Sequence, residues 1–153
     1  MLPVISAPAS YFEARSWIEP TLRQRGPILI GVDGLDGAGK TSFATWLAWQ
    51  FGMKVVHLDL YVINGKRPIE WRTGDLERTI DARLGNGGRP LVVEGILLLQ
   101  ALNDIGKTAS KLFFVELEGN NGSHFLADEI SNYMNKYVPQ KLAHVLKWTD
   151  NSR

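Results

Sequence analysis

Short apolar runs alternate with longer amphipathic or polar stretches along this chain, and the alternation predicts its elements. Four runs read as strands: residues 28–33 (Ile-Leu-Ile-Gly-Val-Asp), Lys54–Asp59 (Lys-Val-Val-His-Leu-Asp), Pro90–Glu94 and Lys111–Leu117. The third is nearly all apolar, as expected of a strand covered by helices on both faces. A helix is predicted from near Lys40 to Phe51-Gly52. A second covers about 75–84, with Thr73 as candidate N-cap, Asp75 and Glu77 in its first turn, and Asn86-Gly87-Gly88 beyond its end. A third, short one spans about Leu97–Asn103. Ahead of the first strand, Tyr11–Gln24 is amphipathic, with Phe12, Trp17, Ile18 and Leu22 as its stripe, and Pro20 predicts a kink or two short pieces. Val62–Arg72, with Gly65 and Pro68, reads as irregular. After the fourth strand, Glu118-Gly119-Asn120-Asn121-Gly122 is a turn cluster, and Ser123 is expected to cap a long helix to about Trp148, bent or interrupted at Pro139.

Strands alternating with helices argue a parallel α/β sheet. In such sheets ligands bind beyond the carboxyl ends of the strands. That rule selects the loop after the first strand, Asp59, Glu94 and the region near Glu118. The loop after the first strand is Gly34-Leu35-Asp36-Gly37-Ala38-Gly39-Lys40-Thr41, the Walker A pattern G-x-x-x-x-G-K-[ST] of a phosphate-binding loop. Its chemistry is explicit. Backbone N–H groups of Gly34, Asp36, Gly37, Ala38, Gly39, Lys40, Thr41 and Ser42 are candidates to cradle phosphate, Lys40 reaches the outer phosphates, and the Thr41 hydroxyl ligates Mg²⁺. Strand, loop and helix is the context this chemistry needs, because the helix start adds N–H donors and a positive dipole end. The expected ligands are therefore ATP and Mg²⁺.

Composition narrows the partners. The 153 residues are enough for one domain with a core, expected as an N-terminal helical segment (8–25), a core (28–117) and a C-terminal helix (about 123–148). A net charge of +1 gives no bulk reason to expect nucleic-acid binding. With no cysteine, thiolate catalysis and Cys-based metal sites are excluded. No apolar run approaches a membrane span, and Met1–Ser10 lacks the basic start and apolar core of a signal peptide, so a cytoplasmic location is expected.

Asp59 and Glu94 end apolar strands. Asp59 reads as a general base or positioning group for a substrate hydroxyl, and Glu94 as a carboxylate that holds Mg²⁺ through water or binds a substrate hydroxyl. The alternative for each is a structural carboxylate. Asp33 sits where it could face the metal, while Asp36 reads equally well as a solvated loop side chain. His57, alternating with apolar neighbours, reads as a satisfied core histidine. Trp46 and Trp49 read as core. Tyr61 and Trp71 fit either stacking on a planar substrate or simple packing. Lys66, Arg67, Arg72 and Arg78 are candidates for anion contacts.

Four pieces together carry a resemblance: Gly31-Val32-Asp33-Gly34 running through the octet to Thr41, His57-Leu58-Asp59-Leu60-Tyr61, Val92-Val93-Glu94-Gly95-Ile96-Leu97-Leu98-Leu99, and the apolar Leu112-Phe113-Phe114-Val115. The set resembles the uridine kinase family of P-loop small-molecule kinases, related to phosphoribulokinase and pantothenate kinase. The resemblance covers about residues 28–117, with Tyr133–His144 similar to a later helix of that family. It implies a three-layer P-loop NTPase fold, α/β, with a short, mostly parallel sheet of about four to five strands flanked by helices. It also implies transfer of the ATP γ-phosphoryl group to a hydroxyl of a small molecule, a nucleoside included. By the same resemblance Lys40 binds the β/γ-phosphates, Thr41 the Mg²⁺, Asp59 acts on the substrate hydroxyl, Tyr61 lies beside it, and Glu94 is the acidic residue of the Glu-Gly-Ile-Leu segment. Arg72 joins Asp59, Tyr61 and Glu94 as a candidate substrate contact.

Two features depart from that family. Its members carry an arginine-rich lid after the fourth strand, whereas residues 118–132 contain no arginine or lysine and the first cation after Lys111 is Lys136. The chain also stops where a fifth strand would be expected. A compensating cation from Arg72, Lys66 or a second subunit, slow catalysis, or nucleotide binding without turnover would each fit. The octet itself is similar to that of thymidylate kinases, which keeps a nucleoside-monophosphate kinase as an alternative, although their arginine-containing segment after strand two is not found. A homodimer is compatible with all of these.

Overall fold

The computed structural model describes residues 6–150. The first five residues of the Met1–Ser10 stretch therefore lie outside it. Five strands form one sheet: β1 (Leu29–Gly34), β2 (Lys54–His57), β3 (Leu91–Glu94), β4 (Lys111–Leu117) and β5 (His144–Trp148). Their order is β2-β3-β1-β4-β5, and every neighbouring pair is parallel. The expected mostly parallel sheet of four to five strands is thus observed with five, all parallel.

Side chains alternate across the sheet because the strand period is two. Leu29, Val56, Leu91, Val93 and Leu112 face one layer, built by α3 (Thr73–Leu84), α4 (Leu98–Asp104) and α5 (Ala127–Tyr137). Ile30, Val32, Val92, Phe113 and Val115 face the other, built by α1 (Ala9–Arg23) and α2 (Lys40–Phe51). Of the helices that follow a strand, α2 alone lies on the second face. The crevice therefore opens beside the carboxyl end of β1, where the chain changes faces.

Several elements differ from the sequence expectation. The C-terminal helix to Trp148 is overturned. α5 ends at Tyr137, Val138 adopts φ 45°, the short α6 (Pro139–Leu142) follows, and residues 144–148 form β5. The residue before a proline is disfavoured in the helical region, and the exchange of helix for strand lets Leu146 bury against β4. The fifth strand thought to be missing is this segment. Ser123 precedes a short 3-10 turn, His124–Leu126, and not a long helix, and its hydroxyl bonds Asp36 instead of capping the turn. α1 runs unbroken through Pro20. The proline removes one backbone donor near the helix end, and burial of Ile18 and Leu22 on either side holds the last turn in place. Strand β2 stops at His57, and Asp59 lies in a 3-10 turn, Leu58–Tyr61. Trp49 is 79% exposed and not core, whereas Trp71, at 4%, is core and not a stacking surface. Val62–Arg72 is a small hairpin: Val62 bridges Trp71 antiparallel, Ile63 N–H donates to Glu70 O at 2.9 Å and Arg72 N–H to Tyr61 O at 2.7 Å.

Candidate active site

The phosphate-loop octet joins β1 to α2. Gly37 and Gly39 hold φ 76° and 91°, which only glycine adopts cheaply. A Cβ on Gly39 would also come within 2.7 Å of the Trp148 ring. The first intrahelical bond of α2 runs from Phe43 N–H to Gly39 O, so the N–H groups of Lys40, Thr41 and Ser42 stay outside the helix ladder and open to an anion. The loop is held from three sides. Lys40 Nζ donates to Leu35 O at 2.6 Å, Trp148 Nε1 to Ala38 O at 2.8 Å, and Asn120 Nδ2 to Asp36 O at 2.9 Å.

Lys40 is buried. Burial pulls its ammonium below the usual value, opposed by the charges of Glu94, Asp33, Asp36 and Asp59. The ends of β1, β2 and β3 thus converge electrostatically on one cation. Glu94, also buried, accepts hydrogen bonds through Oε1 from Thr41 Oγ1 at 3.0 Å and from His57 Nδ1 at 2.7 Å. Parallel pairing of β2 with β3 sets His57 directly opposite Glu94. The histidine read as core material is therefore a partner of the candidate metal carboxylate.

Both carboxylate oxygens of Asp33 are taken up by protein donors. Its Oδ1 accepts from Gly34 N–H at 2.8 Å and its Oδ2 from the Tyr133 hydroxyl, which in turn accepts from Leu99 N–H at 3.0 Å. Burial pushes the Asp33 carboxyl up to about 6 against these hydrogen bonds and the Lys40 charge. Burial and the adjacent carboxylate together push Tyr133 up as well. Asp36, which could have been a solvated side chain, accepts through Oδ2 from both the amide and the hydroxyl of Ser123. Burial raises its carboxyl, but the Ser123 bonds and Lys40 outweigh that and hold it below the ordinary value.

Beyond the end of β2, Asp59 is exposed. Tyr61 donates its hydroxyl to Thr79 at 2.9 Å. Arg72 donates Nη2 to Leu60 O at 2.6 Å, and its Nε lies 3.7 Å from Asp75. Both are turned into the protein's own contacts. Three residues of this site were not singled out from the sequence: Tyr133, Asn120 and Trp148. Each acts across 84 or more residues of chain, and nothing local marks it.

The Thr41–Glu94 pair fits a hard divalent cation. Mg²⁺ takes one or two carboxylates together with phosphate oxygens and water, and a hydroxyl and a carboxylate oxygen 3.0 Å apart beside the phosphate cradle supply such a donor set. No cluster of three or more His, Cys, Asp or Glu side chains able to hold a metal occurs among the described residues, so the cation would depend on the nucleotide. An open cleft of about 1590 Å³ extends from the loop between Leu35, Ala38, Ser42, Trp46 and Trp148. No described helix is long and apolar enough to cross a membrane.

A protein described as a possible uridine kinase from Bacillus stearothermophilus is similar over 87% of this chain and 98% of its own, with a TM-score of 0.58 at 16% identity. The fold is that of the P-loop small-molecule kinases. A sugar kinase from Janibacter matches 80% of this chain and 84% of its own, with a TM-score of 0.47 at 14% identity. A gluconokinase from Sinorhizobium meliloti matches 82% and 83%, with a TM-score of 0.42 at 18% identity. No family model and no curated protein matches the chain.

Proposed function

We propose that this P-loop kinase fold acts as an ATP-dependent phosphotransferase that moves the γ-phosphoryl group of ATP to a hydroxyl of a small molecule. One observation carries the reading: the Thr41 hydroxyl of the phosphate loop donates to the strand-end carboxylate of Glu94 at 3.0 Å. That sets a candidate metal-side carboxylate directly against the anion cradle.

In this reading the loop amides and Lys40 bind the phosphates, and the nucleoside half of ATP extends into the cleft beside Leu35 and Trp148. Thr41 and Glu94 hold Mg²⁺, which when bound neutralises charge on the phosphate oxygens. His57 orients Glu94. Asp59 accepts the proton of the acceptor hydroxyl as the acceptor oxygen bonds to the γ-phosphorus. The bond from that phosphorus to the β,γ-bridging oxygen breaks, and ADP leaves. Lys40 stabilises the charge that develops in transfer. A nucleoside is the first acceptor to try, because one solved structure that shares the fold is described as a possible uridine kinase.

The test is ADP formation from ATP and Mg²⁺ with nucleosides, nucleoside monophosphates, sugars and vitamins as acceptors, for the wild type and Asp59→Asn. Acceptor-dependent turnover that Asp59→Asn abolishes supports the reading. The competing one, nucleotide binding without turnover, is favoured by the absence of cations from residues 118–132. It wins if ATP binds and no acceptor is phosphorylated.

A further inference from the structure

The candidate site lacks positive charge that its immediate elements do not supply. Four carboxylates act on Lys40, and the segment after β4 brings no lysine or arginine over residues 118–132. That segment is nevertheless fixed to the phosphate loop, through Asn120 to Asp36 O and through Ser123 to the Asp36 carboxylate. It forms a strap over the loop that carries Glu118, Asp128 and Glu129 but no lysine or arginine. A phosphoryl group in flight spreads negative charge over its oxygens, and a cation beside them lowers the barrier.

The cations near the acceptor side differ in whether their charge is already spent. Arg72 is bound to Leu60 O and lies near Asp75, Arg78 pairs with the same Asp75, and Lys107 pairs with Asp81. Arg67 has no carboxylate within ion-pair distance among the described residues. It donates to Lys66 O at 3.3 Å, and its guanidinium lies over the Phe125 ring at 5.3 Å. Phe125, 70% exposed, stands two residues after Ser123, the residue that ties the strap to Asp36. The arginine is thus placed against the very segment that lacks a cation of its own.

The arm that carries Arg67 begins directly after the Asp59 turn. It is the 62–72 hairpin, rooted by buried Ile69 and Trp71 and by the bond from Ile69 N–H to Glu129 Oε2 at 2.9 Å. One end of the arm therefore flanks the candidate base and its tip touches the strap. Lys66 lies on the same tip but has no comparable platform. A planar guanidinium also matches two phosphoryl oxygens at once, which an ammonium does not.

We infer that Arg67 is the catalytic cation of this site, supplied from the acceptor arm in place of a lid. From its place over the Phe125 ring it turns to the oxygens of the transferring γ-phosphoryl group. The inference rests on the phosphotransferase reading. Arg67 forms and breaks no covalent bond; it donates hydrogen bonds while the acceptor oxygen bonds to the γ-phosphorus and the bond to the bridging oxygen of ADP breaks. A stacking contact of an exposed cation on an aromatic ring is weak enough to be given up for a phosphate.

The experiment is calorimetric titration of the full chain with ADP and Mg²⁺, with and without aluminium fluoride as a mimic of the phosphoryl group in flight. The wild type is expected to bind at least about tenfold tighter with aluminium fluoride, a small share of the roughly 10³–10⁵ that such arginines contribute in rate. Arg67→Ala is expected to leave ADP–Mg²⁺ binding within about twofold and to lose most of the tightening, Arg67→Lys to recover part of it, and Lys66→Ala to keep all of it. Thermal unfolding should not change, since the tip is exposed. The inference is overturned if Arg67→Ala tightens like the wild type, if Lys66→Ala is the variant that loses the effect, or if the wild type binds ADP–Mg²⁺ without tightening. Failure of the underlying reading looks different: nucleotide binds but the wild type phosphorylates no acceptor in the ADP-formation assay, or it does not bind ADP–Mg²⁺ at all, and the inference then falls with it.

Discussion

The two sides of the candidate site are built on opposite terms. In the phosphate cradle nearly every polar group is held from a second direction: Lys40 by Leu35 O, Asp36 by Ser123, Asp33 by Tyr133, Ala38 O by Trp148. On the proposed acceptor side Asp59 and the tip of the 62–72 arm are exposed, and the buried anchors of the arm, Ile69 and Trp71, lie at its root. Holding an anion requires N–H groups and a charge fixed before the ligand arrives, because donors that must reorganise stabilise little. Admitting and releasing an acceptor requires the reverse. In the proposed reading the difference gives rigidity to the nucleotide side and access to the acceptor side.

Each side can be broken separately. The largest effect is expected from the cradle: Lys40→Ala should cost about 10³-fold in turnover and weaken ADP–Mg²⁺ binding, read by steady-state kinetics and calorimetry. Asp59→Asn should lower kcat by about 10²-fold with nucleotide binding intact. If Asp59→Asn weakened nucleotide binding as much as Lys40→Ala, the two sides would be one unit and the comparison would fail.

A third prediction concerns what the cradle costs the fold. The Asp33 carboxyl, pushed up from 3.8 to about 6 by burial, keeps a proton in the folded chain that the unfolded chain has released. Stability therefore falls as pH rises through the window between those two values. At neutral pH the ionised buried carboxylate costs about 3 kcal/mol relative to acid conditions, at 1.36 kcal/mol per pH unit. Urea unfolding at about pH 5 should show a higher unfolding free energy than at about pH 7, and Asp33→Asn should flatten that slope. A wild type without the slope would mean that Lys40 and the hydrogen bonds offset burial completely. Smaller again, Ser123→Ala should cost about 1–2 kcal/mol in urea unfolding, because it removes one of two donors to a partly buried carboxylate. Trp49→Ser, on the exposed face of α2, should stay within about 0.5 kcal/mol.

The same contrast governs what could be read from the sequence. The octet is contiguous between an apolar run and a helix, so its place between strand and helix was legible, as were four of the five strands. Asp59 and Glu94 were selected as candidates because strand ends in a parallel sheet converge. What escaped is what acts over long chain separations. His57 alternates like a core residue and reveals its role only when the β2–β3 register sets it opposite Glu94. Tyr133 looks like any aromatic on an amphipathic helix until α5 packs over Asp33. β5 was hidden because its five residues follow a strongly helical stretch, and only the backbone restriction at Val138-Pro139 marks the break. The 62–72 hairpin was hidden because Gly65 and Pro68 signal irregularity more loudly than the pairing of Val62 with Trp71 signals order.

Trp148 gives the cradle a history as well as a shape. The octet lies in the first third of the described chain, yet the indole that braces Ala38 O and fills the space beside Gly39 comes from the last strand, 110 residues later. As the chain is synthesised, the loop is made long before its brace, so nucleotide grip should arrive with the final strand. In the phosphotransferase reading, affinity for ADP is thereby a gauge of whether the sheet has been completed.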